Sequence, residues 1–396
     1  MRRGGLEQLC ALALVGASAN GVSGAQEKIS SPNVSQFVGS VGCKSSYCHG
    51  GGGESKGQYL TWVQRDYHTR AYAILVSARS TRMAEALGLE DGDASKSEKC
   101  TVCHSPMRTL PPAELSSLTS KGSLDDAVSC ENCHGAAANW QRSHTRHDWT
   151  YSMRVGAGMR DLRNLYVRAN TCVACHQNVR LNVREAGHPL LTFELDRQSV
   201  QEPRHWPQED LLSGPRAWLV GQAVALREVS WALADSKRAQ RDDPQLAAQW
   251  NALAWLLAKI TANQTQLGAV SPPVENPDAT VASNTQEQAN ALARQATALR
   301  WDQTRVSSAL QTMTATQPEF QHLATFPPEL AYQRALRLVL ALNSLDWAAE
   351  HGSPSTGATE ALRVLWEDVR NSANFQPAQF AADLATFCAT MKGGPQ

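Results

Sequence analysis

The chain has no long hydrophobic run in its body. After the N-terminal region no segment reaches about eighteen uninterrupted apolar residues, the length that reads as a transmembrane helix, so the mature protein is expected without a membrane span. It has no net charge either. Its 37 Lys and Arg balance 37 Asp and Glu, which removes the electrostatic case for a nucleic-acid partner. Spare cysteine is also scarce. Of 10 cysteines, eight fall in four short clusters, Cys10 lies near the start and Cys388 stands alone. A disulfide framework is therefore excluded as the organising device. Cys388 falls in an apolar helical pattern with Phe380, Leu384 and Phe387, which reads as a buried free thiol.

The clusters have one form. Cys100-Thr-Val-Cys103-His104, Cys130-Glu-Asn-Cys133-His134 and Cys172-Val-Ala-Cys175-His176 are three copies of Cys-x-x-Cys-His, and Cys43-Lys-Ser-Ser-Tyr-Cys48-His49 is a stretched fourth. A thioredoxin-like pair or a zinc half-site also uses Cys-x-x-Cys, but neither needs a histidine after the second cysteine every time. This is the attachment signature of c-type haem. Each thiol can add to a haem vinyl group, and the adjacent imidazole is then held beneath the ring to bind iron. The expected cofactor is four covalent haems c. For the first copy the competing reading is a disulfide across a glycine-rich turn, and His49 beside Cys48 speaks against it.

The start resembles a secretory signal over residues 1–26, with Arg2 and Arg3 before the apolar stretch Leu9 to Ala19 and small residues at Ala17-Ser18-Ala19. Residues 27–206 hold every haem motif and nine of the 11 histidines. Short helices are expected there, including one over Tyr59 to Val76. From 207 the periodicity becomes helical. Trp218, Gln222, Leu226, Val229 and Leu233 form one stripe, and Leu246, Trp250, Leu253, Leu257 and Ile260 another. A loop is expected from Gly268 to Thr285, with a helix from Gln286 to Trp301. The fold class is mainly α: an irregular tetrahaem domain with short helices, then an antiparallel helical bundle over 207–396.

Each haem iron has a second axial position, and its occupant separates a carrier from a catalyst. Five further histidines lie in the haem half. His68 follows Trp62, His144 and His147 could share one helical face, and His188 sits in a rigid Gly187-His-Pro context. These four are the candidate distal ligands, with at least one expected from the pair and His144 favoured. His205 is a weaker candidate. Met83, Met107, Met153 and Met159 form no ligand motif. The stretch from Cys43 to Trp206 carries 15 Arg and 5 Lys, and part of this Arg set is read as neutralising haem propionates.

Over residues 27–206 the chain resembles the multihaem c-type cytochromes related to tetrahaem cytochrome c-554. The resemblance rests on the four motifs, Trp62…His68, Cys133-His134-Gly135 followed by Trp140…His144, and Gly187-His188-Pro189 ahead of Phe193-Glu194-Leu195. It implies closely packed haems, mostly with two histidine ligands, that pass electrons. It implies His68, His144 and His188 as distal ligands, without their pairing. The spacer between Cys43 and Cys48 departs from the family pattern, and the helical half is not covered. The expected function is electron transfer outside the cytoplasm, with redox proteins as partners. The alternative is a reductase or oxidase acting on a small nitrogen or sulfur compound at a five-coordinate haem. The helical half is a candidate for docking a partner or for forming a homo-oligomer.

Overall fold

The computed structural model describes residues 36–53, 55–120, 127–196, 203, 213–262, 266–349 and 356–392. The expected signal segment and His205 lie outside these. The described residues are helices and turns, with no strand, and residues 35–396 form one compact unit.

The cysteine-bearing half is built from short helices: α1 Gln58–Arg65, α2 Ala71–Leu75, α3 Ala78–Ala86, α4 Glu98–His104, α5 Pro112–Ser120, α6 Cys130–His134, α7 Tyr151–Gly156, α8 Leu165–His176 and α9 Leu181–Glu185. Helices this short are not stable alone, and side-chain caps start several of them. Ser77 accepts from Ser80 N, Ser97 from Lys99 N, Thr150 from Met153 N, and Asn164 from Tyr166 N and Val167 N. Ser129 and Asn132 form a reciprocal capping box at α6. Among the described residues, a small local core of this half gathers Leu75, Ala84 and Ala94, with Tyr72, Leu89 and Cys100 packed against it.

The single helix expected over Tyr59 to Val76 is broken. α1 stops at Arg65, and Asp66 turns extended at φ −83° and ψ 126°. The Asp66 carboxylate accepts from His68 N at 2.8 Å, and its carbonyl accepts from Thr69 Oγ1 at 2.8 Å. A short polar side chain has thus offered the backbone a local alternative to the helix. A 3-10 turn over Tyr67–Arg70 follows.

The second half packs long helices: α10 Ser213–Arg238, α11 Pro244–Thr261, α12 Ala279–Ala296, α13 Gln303–Thr314, α14 Gln317–Phe320, α15 Pro328–Ala349, α16 Thr356–Asp368 and α17 Pro377–Lys392. α10 packs on α11 and α12, α15 on α11 and α13, and α16 on α17. The anticipated stripes of α10 and α11 are buried. α12 starts earlier than expected, because Asp278 caps it by accepting from Val281 N at 2.7 Å. It also ends earlier, at Ala296. Cys388 is buried as expected, and its thiol donates to the Thr314 carbonyl at 3.7 Å.

One hydrophobic core runs across the expected domain boundary. Leu165, Ala169 and Val173 of α8, with Phe193 and Leu195, join the core of the long helices. Leu195 fits because α10 has a glycine opposite it. A Cβ on Gly221 would meet the Leu195 Cβ at 2.8 Å.

Candidate haem-binding sites

The three short motifs lie on helices and each histidine is its helix's last residue: α4 ends at His104, α6 at His134 and α8 at His176. Helical spacing puts cysteines three apart on one face, with the histidine a turn beyond the first. The first motif is different. Cys43 to His49 is a chain of turns, and His49 N donates to Cys43 O at 3.2 Å. The two extra residues are looped out, so Cys43 and His49 still meet.

Three motif histidines each face a second histidine. Ring centroids of His49 and His144 are 6.1 Å apart, those of His176 and His68 6.0 Å, and those of His104 and His188 6.4 Å. Rings in direct contact would lie closer. Two imidazoles on one metal ion, each bonded at about 2 Å with its ring centre roughly 1 Å behind, give centroids roughly 6 Å apart.

The ring nitrogens are oriented for the same purpose. Nδ1 lies against an oxygen in five of these histidines: Gln58 Oε1 for His49 (3.0 Å), Ala71 O for His104 (3.2 Å), Pro189 O for His188 (2.9 Å), Asp66 Oδ1 for His68 (3.0 Å), and Gln141 O for His144. With Nδ1–H donating, Nε2 carries the free lone pair, which is the usual arrangement of a metal-ligating imidazole. Burial pushes His104, His144 and His176 below the ordinary histidine range, and the neighbouring imidazoles add to this for each. These rings are therefore neutral, as ligands must be.

Neighbouring side chains fix the frame. Trp62 Nε1 donates to Val128 O at 3.1 Å, which holds α1 against the segment before α6. Trp140 meets the edge of His144 at 5.5 Å. Arg79 donates to Gly187 O at 2.7 Å, pinning the turn before His188. Arg160 donates to the Cys133 carbonyl at 3.0 Å. Glu131, between the third motif's cysteines, is buried. Its carboxylate accepts from Val38 N, Gly39 N and Ala137 N.

The other candidates separate. The sequence allowed His144 and His147 to share a helical face, but only a 3-10 turn, Ser143–Thr145, forms. The chain turns extended at Arg146, and His147 is exposed. His134 is half-buried at the end of α6. Met107 is buried and Met153 exposed. Asp66, a buried carboxylate on the ring of His68, was not singled out from the sequence. The Asp-x-His-Thr pattern of an N-cap was its available signal.

The motifs also touch one another. The thiols of Cys43 and Cys130 are within hydrogen-bond reach, and so are those of Cys103 and Cys175. The hydrogen bond to Cys43 and burial hold Cys130 protonated well above the usual thiol range, and Cys103 with burial does the same to Cys175. Cys133 lies near Cys175. The motifs are thus adjacent in the order first, third, fourth, second.

A haem fits this donor set. The histidines come as facing pairs, and no group of three or more His, Cys, Asp or Glu among the described residues is placed to hold a bare metal ion. The same half exposes Val41, Leu60, Val63, Ile74, Val76 and Val102.

Residues 42–135 match the family model described as cytochrome c554 and c-prime. No curated protein and no solved structure matches. The match covers the first three motifs and stops before the fourth. Over this segment the chain is similar to cytochrome c554 and c-prime.

Proposed function

We propose that the protein is an exported electron carrier with four covalent haems c. Cys43 and Cys48, Cys100 and Cys103, Cys130 and Cys133, and Cys172 and Cys175 hold them by thioethers. His49, His104, His134 and His176 are the proximal ligands. On this reading His144 completes the first iron, His188 the second and His68 the fourth. His147 is left as a surface residue.

The observation that carries this is the set of three facing histidine pairs, with Nδ1 of five of the six rings turned to an oxygen. Haem c, when bound, supplies an iron that accepts and releases one electron. The chain's own residues would fix its ligands and bring the motifs into contact. Contact between motifs supports a path running first, third, fourth, second, so that the ends of the path are the first and second motifs. Its partners are redox proteins meeting those ends. Among the described residues no helix is long and apolar enough to cross a membrane.

The test is maturation of the full chain in a host with a cytochrome c assembly system. A pyridine haemochrome assay and intact mass should give four covalent haems, and absence of covalent haem sinks the proposal. Electron paramagnetic resonance decides against the reductase or oxidase alternative if every haem is low-spin. A high-spin haem that binds nitric oxide or cyanide decides for it.

A further inference from the structure

The partners of the histidine rings differ in charge. His49, His104, His144 and His188 direct Nδ1 at neutral oxygens: a side-chain amide and three main-chain carbonyls. His68 directs Nδ1 at the carboxylate of Asp66, 3.0 Å away. That carboxylate is 6% exposed. Its place is fixed by the helix break, since the same Oδ1 accepts from the His68 main-chain N at 2.8 Å. Carboxylate and imidazole are therefore held in one rigid turn.

We propose that Asp66 is a positioning residue that selectively lowers the reduction potential of the haem ligated by His68 and His176. This rests on the reading of those two histidines as one iron's ligands. An ionised carboxylate draws the Nδ1 proton more strongly than a neutral carbonyl does. Electron density then moves to Nε2, which becomes the stronger donor and favours ferric iron. The fixed negative charge acts in the same direction, and its burial limits screening. The four ring contacts of the other two facing pairs are to neutral oxygens, so among the three pairs the effect falls on the fourth motif. In the contact order this motif is internal, between the third and the second. Asp66 therefore acts at an internal position of the path.

The experiment uses the matured holoprotein. Potentiometric titration followed by electron paramagnetic resonance gives a midpoint for each low-spin haem. His68→Gly identifies the relevant signal by converting it to high spin. The His68 and His176 planes lie at 88° and those of His49 and His144 at 13°, which separates the two signals. Asp66→Asn keeps the cap and an oxygen against Nδ1 but removes the charge. It should make reduction of that one haem tenfold or more easier, an upward shift of about 59 mV for a one-electron couple. Asp66→Glu should restore most of the original value. The proposal is overturned if Asp66→Asn leaves that midpoint unchanged, shifts all midpoints equally, or is not rescued by Asp66→Glu. If His68→Gly converts no signal, the ligand pair itself is wrong and the role of Asp66 falls with it.

Discussion

At the scale of single residues, the sites divide into what is local in sequence and what is not. The cysteines and motif histidines stand within a few residues of one another, as the proposed thioether attachment requires, so the candidate set can be written down from the sequence. The facing histidines are legible as candidates only. Their pairing needs the fold, since His68 and His176 are far apart in the chain and meet by tertiary packing. This gives a direct test of the pairs. His144→Gly and His188→Gly should each convert one low-spin haem to high spin and leave the covalent haem count unchanged. A spectrum unaltered by either change removes that histidine from the ligand set. Glu131 makes a different kind of residue-scale claim. Its carboxylate ties three main-chain N–H groups, two of them from the segment just before the first motif. Glu131→Ala strands those donors in a buried place and should cost about 2–4 kcal/mol of unfolding free energy. Denaturant unfolding of the holoprotein checks this, and a loss below about 0.5 kcal/mol would mean that water replaces the carboxylate.

At the scale of elements, sequence periodicity performs well where apolar burial decides and poorly where a cap does. The stripes of α10 and α11 are buried as their spacing requires. The expected helix through His68 fails because Asp66 competes for the backbone, and the early start of α12 is set by Asp278. Periodicity is blind to both, while the cap residues themselves are visible in the sequence. The packing of α16 on α17 carries a further cost that spacing does not reveal. Asp368 ends α16, and its carboxyl is hydrogen-bonded to Asp383 of α17. Burial, with the charge of Asp383 second, pushes the Asp368 carboxyl up to about 6. A carboxyl whose folded value is raised binds its proton more tightly in the folded state. This pair therefore destabilises the fold above about pH 6 and is relieved as pH falls toward about 4, the unfolded value. Asp368→Asn should stabilise the protein at pH 7.5 by roughly 1 kcal/mol, reduced from the full shift because the site is partly exposed. The gain should vanish near pH 4. Equal gains at both pH values would show that the substitution acts through packing rather than charge.

At the scale of the whole molecule, the sequence suggests two domains with a boundary near 206, while the structure runs one core across it. The join is a strap of chain after His188. Phe193 and Leu195 are fully buried among the long helices, and Glu194 between them pairs with Arg337 of α15 at 2.6 Å. Arg337 is completely buried. It also donates to Gln222 Oε1 of α10 at 3.1 Å and to the Phe193 carbonyl at 3.3 Å. A second buried pair, Arg184 of α9 with Asp243 at the start of α11, anchors the chain on the other side of His188. Composition hides this join, because an isolated Glu and Arg far apart read as surface charges until the fold buries them together. The long helices thus fix the approach to His188 from both sides, which gives them a structural role in the proposed second haem site. Burial pulls the Arg337 guanidinium below its ordinary range and Glu194 opposes this, so the cation depends on its partner. Arg337→Met leaves the Glu194 charge uncompensated in the core and should cost about 3–5 kcal/mol, whereas Glu194→Gln combined with Arg337→Met should recover much of that loss. The strap argument adds a spectroscopic outcome. Loosening it should convert the haem of the second motif to high spin while the His49–His144 signal persists. Loss of stability with all low-spin signals intact would reduce the long helices to a scaffold that does not position His188.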